Sequence, residues 1–213
     1  MIKEDKMYEL VIFDVDGTMI DTEDAVIEAY QKVICEEFGR YFTPEELSMA
    51  YGIPTELAME RLGFKDIGSA CRRYYEYLFE GYGRANPFPE IVEVLEELER
   101  RKIVCGIVTS RNNSEVENDP CLQGLLKYFQ YVICTEDTEK HKPDPEPALE
   151  LLKRAGADTS QAIYLGDTFY DYMCAKSAGV KFALASWGVR NADGIEPDYV
   201  LTRPKDLLEL VRE

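Results

Sequence analysis

The sequence predicts an α/β protein in which a parallel sheet carries a helical block inserted after its first strand, and three observations predict it. An apolar run over residues 10–13 ends abruptly in Asp14, Asp16, Gly17 and Thr18. Between Glu23 and Tyr82 the apolar residues recur at helical spacing, with no strand pattern among them. From Pro89 onward, helical and strand patterns alternate, as they do where crossover helices link parallel strands.

Residues 10–13 (LVIF) are four β-formers bounded by a turn signal, and so continuous an apolar run fits a strand covered on both faces. The acidic residues then fall at the strand's C-terminal end, where open α/β sheets bind ligands. Asp14 and Asp16 share a site only if the backbone turns between them, which Gly17 permits. A plain strand-to-helix loop, capped by Asp16 or Thr18, accounts for the same pentapeptide. A calcium loop of the EF-hand type starting at Asp14 is excluded, because its obligatory glycine would fall at Met19.

Helices are predicted over 23–38, where Val26, Ala29, Tyr30, Val33 and Ile34 make the apolar stripe, and over 44–51, 54–62 and 69–82. Half of the fourteen tyrosines fall in this block, and their half-apolar rings suit either a helix-bundle core or a substrate surface. Asn86-Pro87-Phe88-Pro89 reads as a stiff connector. An amphipathic helix over 89–101 follows, with proline near its start. Strands are then expected at 103–108, 131–134, 162–165, 180–185 and 199–201, and helices at 121–128, 145–155, 170–178 and 207–212.

With 213 residues, 46% of them hydrophobic and 31% charged, the chain can bury one good core and a smaller second one. A formal net charge of -17 argues against nucleic acid or an anionic membrane as partner, since both demand a basic face. His141 is the only histidine, so a His-based triad is closed off and carboxylates must carry acid–base chemistry. Six scattered cysteines without a CxxC pair read as reduced thiols of a cytoplasmic protein. The first ten residues hold no apolar leader and no window approaches a membrane span, so neither export nor embedding is expected.

Three later strand ends carry polar groups: Thr109-Ser110-Arg111, then Lys142-Pro143-Asp144-Pro145, then Gly166-Asp167 with Asp171 following. Each alone is ordinary as a turn, a solvated loop or a helix cap. Together they supply acidic oxygens for Mg²⁺, donors for phosphate oxygens, and a carboxylate nucleophile with a second acid beside it.

In this order the segments DVDGT (14–18), TSR (109–111), HKPDP (141–145) and GDTFYD (166–171) resemble the four motifs of the haloacid dehalogenase (HAD) superfamily. The resemblance spans essentially the whole chain and looks most like the phosphoglycolate phosphatase and pyrophosphatase branch, with the β-phosphoglucomutase branch nearby. It implies a Rossmann-like core from 1–18 and 88–213, with an α-helical cap over 19–87. It also implies a small phosphorylated metabolite as substrate and Mg²⁺ as cofactor. Asp14 matches the nucleophile and Asp16 the general acid and base. Thr18, Thr109, Ser110, Arg111 and Lys142 match substrate-binding positions, while Asp14, Asp16 through its carbonyl, Asp167 and Asp171 match the metal site. Dehalogenases of the superfamily lack the second aspartate, so Asp16 favours phosphate chemistry. The expected division of labour leaves Asp14 ionised while Asp16 holds a proton. Tyr51-Gly52-Ile53-Pro54 matches a cap loop that dips toward the site, or is a plain helix–helix turn. The alternatives are a phosphomutase, for which no cap arginine is apparent, and a non-catalytic binding relative.

Overall fold

The computed structural model describes residues 8–213. The first seven residues of the 1–18 core segment, and what was read from them about export, lie outside that range. Strand β1 (Leu10–Phe13) is the centre of a six-stranded parallel sheet. It pairs with β4 (Val104–Val108) on one side and β6 (Ala162–Gly166) on the other. Beyond β4 lies β5 (Tyr131–Ile133), and beyond β6 lie β7 (Lys181–Ala185) and β8 (Tyr199–Leu201). Along β1, Val11 and Phe13 enter the apolar cluster on one face of the sheet and Leu10 and Ile12 the cluster on the other. Two covered faces are why this strand shows no polar alternation.

Between β1 and β4 the chain makes the helical block: α1 (Glu23–Phe38), α2 (Pro44–Leu47), α3 (Thr55–Arg61) and α4 (Ile67–Tyr82). Its apolar side chains form a cluster of their own, with Tyr30, Val33, Ile34, Tyr74, Leu78 and Tyr82 at its centre. Each large side chain buried there contributes about 1.5–3 kcal/mol, so the block holds a core independent of the sheet. A Cβ on Gly81 would stand 2.8 Å from the Ala25 Cβ, so the glycine lets α4 lie closely on α1. Met19 and Ile20 belong instead to the sheet-side cluster.

Four local expectations are corrected. The 86–89 connector is a strand: β2 (Ile20–Asp21) pairs antiparallel with β3 (Asn86–Pro87), making the neck between sheet and block. Two-residue strands leave no periodicity to read. The helix expected from residue 89 is α5 (Ile91–Arg100), because the Phe88 amide still bonds to the Met19 carbonyl at 2.9 Å and keeps the chain extended through the prolines. A short helix, α6 (Asn113–Glu117), was not anticipated, although Asn112 and Glu115 form a capping box around its start. Finally, the 207–212 helix is a 3₁₀ segment at Pro204–Glu209, and Val211 beyond it bridges to Tyr8. The remaining helices are α7 (Pro120–Leu125), α8 (Glu146–Ala155) and α9 (Phe169–Ala178).

Candidate active site

The turn that two neighbouring aspartates require is present. Beyond β1 the amides of Met19 and Ile20 both bond back to the Val15 carbonyl, and Gly17 sits at φ 77°. A Cβ at Gly17 would lie 2.4 Å from Asp167 Oδ2, so glycine here admits the Asp167 carboxylate as well as the left-handed backbone. The loop is clamped from the far side. Trp187 Nε1 donates to the Thr18 carbonyl at 2.9 Å, and a Cβ on Gly188 would fall 1.6 Å from the Gly17 carbonyl oxygen.

Lys142 is 5% exposed and its ammonium donates at 2.7 Å to Asp14 and at 2.7 Å to Asp171. Asp171 also accepts from the Thr168 amide at 3.0 Å and hydroxyl at 2.5 Å, which fixes its orientation at the start of α9. A carboxylate oxygen from each of Asp14, Asp167 and Asp171 lies within 4.8 Å of the others. Burial, then repulsion from Asp171, pushes Asp14 up to about 7 against the opposing pull of Lys142. Burial and the Asp14 charge raise Asp167 well above the usual carboxylate range. Lys142 is shifted upward, because its two acidic partners outweigh burial. Three acids facing one ammonium are under-neutralised. Hard, closely spaced oxygens with excess negative charge fit Mg²⁺.

Asp16 is placed differently from expectation. Its carboxylate lies outside the Asp14 cluster, accepting from Arg111 Nε at 2.8 Å and Nη2 at 2.7 Å, and from the Thr22 hydroxyl at 2.6 Å. Burial pushes Asp16 up, but the Arg111 charge and hydrogen bonds overcome it and hold the group below its ordinary value. In this arrangement Arg111 favours the ionised form of Asp16, while burial and Asp171 disfavour that of Asp14. Arg111 is 3% exposed, and its third bond, from Nη1, reaches the fully buried Asp119 at 2.8 Å. The guanidinium also lies 4.6 Å over the Tyr82 ring. Its donors are thus committed to acids of the chain rather than open to a ligand.

The other matched positions divide. Asp14, Asp16, Ser110, Arg111, Lys142 and Asp167 line one large cavity, whereas Thr18, Thr109 and Asp171 stand behind it. The buried Thr18 hydroxyl donates to Asp167 at 3.0 Å, so it braces an acid where a substrate contact was expected. Thr109 Oγ1 accepts from the Arg111 amide at 3.1 Å. Ser110 Oγ donates to the Gly52 carbonyl at 3.1 Å, which brings the 51–54 loop of the block onto the site. Asn112 Nδ2 donating to the Tyr75 hydroxyl at 2.8 Å makes a second link of this kind. Sequence reasoning missed Thr22, Asp119, Glu115 and Trp187. Asp119-Pro120 carried a readable helix-start signal, and Asp119 does cap α7, but nothing in the sequence pairs it with Arg111.

Residues 11–185 match the family model of the haloacid dehalogenase-like hydrolases. The chain is 30% identical over 210 residues to a pyrophosphatase, PpaX, of Bacillus velezensis, covering 97% of each chain. It is 28% identical over 208 residues to a phosphoglycolate phosphatase of Aquifex aeolicus, covering 95% of this chain and 96% of the other. A solved structure from Lactobacillus plantarum, provisionally named a phosphoglycolate phosphatase, superposes with a TM-score of 0.86 at 29% identity, over 96% of this chain and 99% of that one.

Proposed function

The chain belongs to the haloacid dehalogenase-like hydrolase family, and on that premise we propose that it is a Mg²⁺-dependent phosphohydrolase that works through an aspartyl-phosphate on Asp14. The observation that carries the reading is the buried cluster of Asp14, Asp167, Asp171 and Lys142 at the strand ends. The relatives named pyrophosphatase and phosphoglycolate phosphatase support a small phosphorylated metabolite as substrate.

An Asp14 oxygen attacks phosphorus, the bond from phosphorus to the ester oxygen breaks, and the departing oxygen takes up a proton. Water then attacks the phosphorus, the bond to Asp14 breaks, and orthophosphate leaves as Asp16 accepts the proton from water. Lys142 holds Asp14 in place and sets a positive charge beside the transferring group. Mg²⁺, held by Asp14 and Asp167 with Asp171 behind them, would supply charge for the equatorial phosphate oxygens. Arg111 holds Asp16 in the ionised form from which a base starts, and a lowered pKa also makes it a weaker base. Its acid role in the first step requires the carboxyl to leave that fork and take up a proton.

Residues 19–87 form the cap in this reading, a proposal supported by the block's separate apolar cluster and the β2–β3 neck. A cytoplasmic protein without nucleic-acid or membrane partners is supported by the charge of -17 and by six free cysteines. Among the described residues, no helix is long and apolar enough to cross a membrane.

The test is phosphate release from p-nitrophenyl phosphate with Mg²⁺ and with EDTA, together with hydroxylamine trapping. We expect release with Mg²⁺ only, and an adduct on the peptide carrying Asp14. Phosphate release without an Asp14 adduct would replace covalent catalysis by direct attack of water.

A further inference from the structure

The cavity over Asp14 has a volume of about 950 Å³ and runs from the strand ends to the helical block. Its wall includes Tyr30, Tyr74 and Tyr82 of the block, and Glu115 of α6. Glu115 is 5% exposed. One of its carboxylate oxygens accepts from the Asn112 amide at 2.9 Å, and among the described residues no hydrogen bond reaches the other. Burial pushes this carboxyl up to about 7, so an added donor relieves it and an added anion strains it further.

Three cations line the cavity, and each already faces acid. Lys142 pairs with Asp14 and Asp171, and Arg111 with Asp16 and Asp119. Arg190 lies 2.8 Å from Glu23 and stacks 4.1 Å from the Tyr51 ring centroid. Asp21, Glu23, Glu45, Glu115 and Asp193 line the same space. A substrate with a second anionic group would meet five carboxylates there against one cation besides Lys142 and Arg111, namely Arg190, which is paired with Glu23.

Resting on the phosphohydrolase reading, we infer that the substrate is the phosphate monoester of an alcohol with no second anion, whose further hydroxyl or ammonium group donates to Glu115 while its carbon frame lies against the tyrosines. Glu115 is then a specificity residue. It selects by attraction: the ionised carboxylate accepts from a donor, whereas beside an anion the group must first take up a proton. The inference separates this chain from what the names of its pyrophosphatase and phosphoglycolate phosphatase relatives suggest.

The experiment measures kcat/KM of the full chain with Mg²⁺ for p-nitrophenyl phosphate, glycerol phosphate, phosphoethanolamine, phosphoglycolate and pyrophosphate. Glycerol phosphate or phosphoethanolamine should exceed both anionic substrates by about tenfold or more. Glu115→Gln keeps an acceptor for the Asn112 amide, and circular dichroism establishes that it folds. It should narrow that ratio by about fivefold or more, mainly by lowering KM for the anionic pair. Preference for pyrophosphate or phosphoglycolate in the wild type, alongside turnover of the aryl phosphate, overturns the inference and leaves the phosphohydrolase reading standing. A ratio that Glu115→Gln does not move overturns the role of Glu115. No turnover of any substrate overturns the phosphohydrolase reading and this inference with it.

Discussion

Replacing Arg111 with methionine removes a buried charge from between two acids while keeping most of the side chain's volume. The guanidinium makes three charged hydrogen bonds of 2.7–2.8 Å, two to Asp16 and one to Asp119, and is 3% exposed. Breaking a buried pair by removing one partner costs about 3–5 kcal/mol, because the partner stays buried and uncompensated. Asp119 is the acid left buried, though it keeps the Cys121 and Leu122 amides; Asp16, 36% exposed, keeps the Thr22 hydroxyl and stays open to water. We therefore expect Arg111→Met to lose about 3–5 kcal/mol in urea unfolding, seen as a fall in midpoint at constant slope. Arg111→Lys should recover only part, since an ammonium cannot make the two-pronged contact with Asp16. A loss below about 1 kcal/mol for Arg111→Met would refute the reasoning, by showing that Asp119 tolerates burial without its cation.

Asp14→Asn should abolish both turnover and the phospho-enzyme, whereas Asp16→Asn should give a phenolate burst on an aryl phosphate followed by release slowed roughly 10²–10⁴-fold, read by stopped flow. Asp167→Asn should weaken Mg²⁺ affinity, measured by calorimetry, because it removes a charge from the oxygen cluster. In metal-free protein the raised groups set the pH dependence. Asp14 and Glu115 keep their protons to about 7 when folded, against 3.8 and 4.5 unfolded. The folded state thus binds more protons inside that window. Stability should be greatest at its acid end and fall as pH rises to about 7, by roughly 1–3 kcal/mol per unit, in urea titrations at pH 5, 6 and 7. Mg²⁺ should flatten that slope. Orthophosphate alone should barely raise Tm, and Mg²⁺ with orthophosphate should raise it by more than the sum of each alone.

The sheet was legible because its strands are buried on both faces: Leu10, Val11, Ile12 and Phe13 announce themselves without alternation. Helix α1 was legible end to end, since a long amphipathic stripe carries its own period. What escaped was short or relational. Neither β2 nor β3 exceeds two residues, and α6 has five, too few for either period to register. Site positions could be recognised by motif, but the hydroxyl of Thr18, the fork of Arg111 and the carboxylate of Asp16 each took a partner the motif does not name. Partner choice depends on distance in space: Arg111 and Asp16 are 95 residues apart in the chain.

The same pairings explain how so acidic a chain could hold a phosphate dianion. Each cation of the cavity is already matched by acid, so the protein alone offers phosphate little net attraction. What it offers instead is a deficit, in which Asp14 and Asp167 are pushed up because their charges go unanswered. On the proposed reading, a divalent cation held there by Asp14 and Asp167 would relieve the acids and supply positive charge to the transferring group. Metal and substrate affinities are then linked, and the linkage is reciprocal: whatever Mg²⁺ contributes to phosphate binding, phosphate returns to Mg²⁺. A second fixed cation beside Lys142 would answer Asp14 more fully and, on the proposed reading, would weaken the site's demand for the metal.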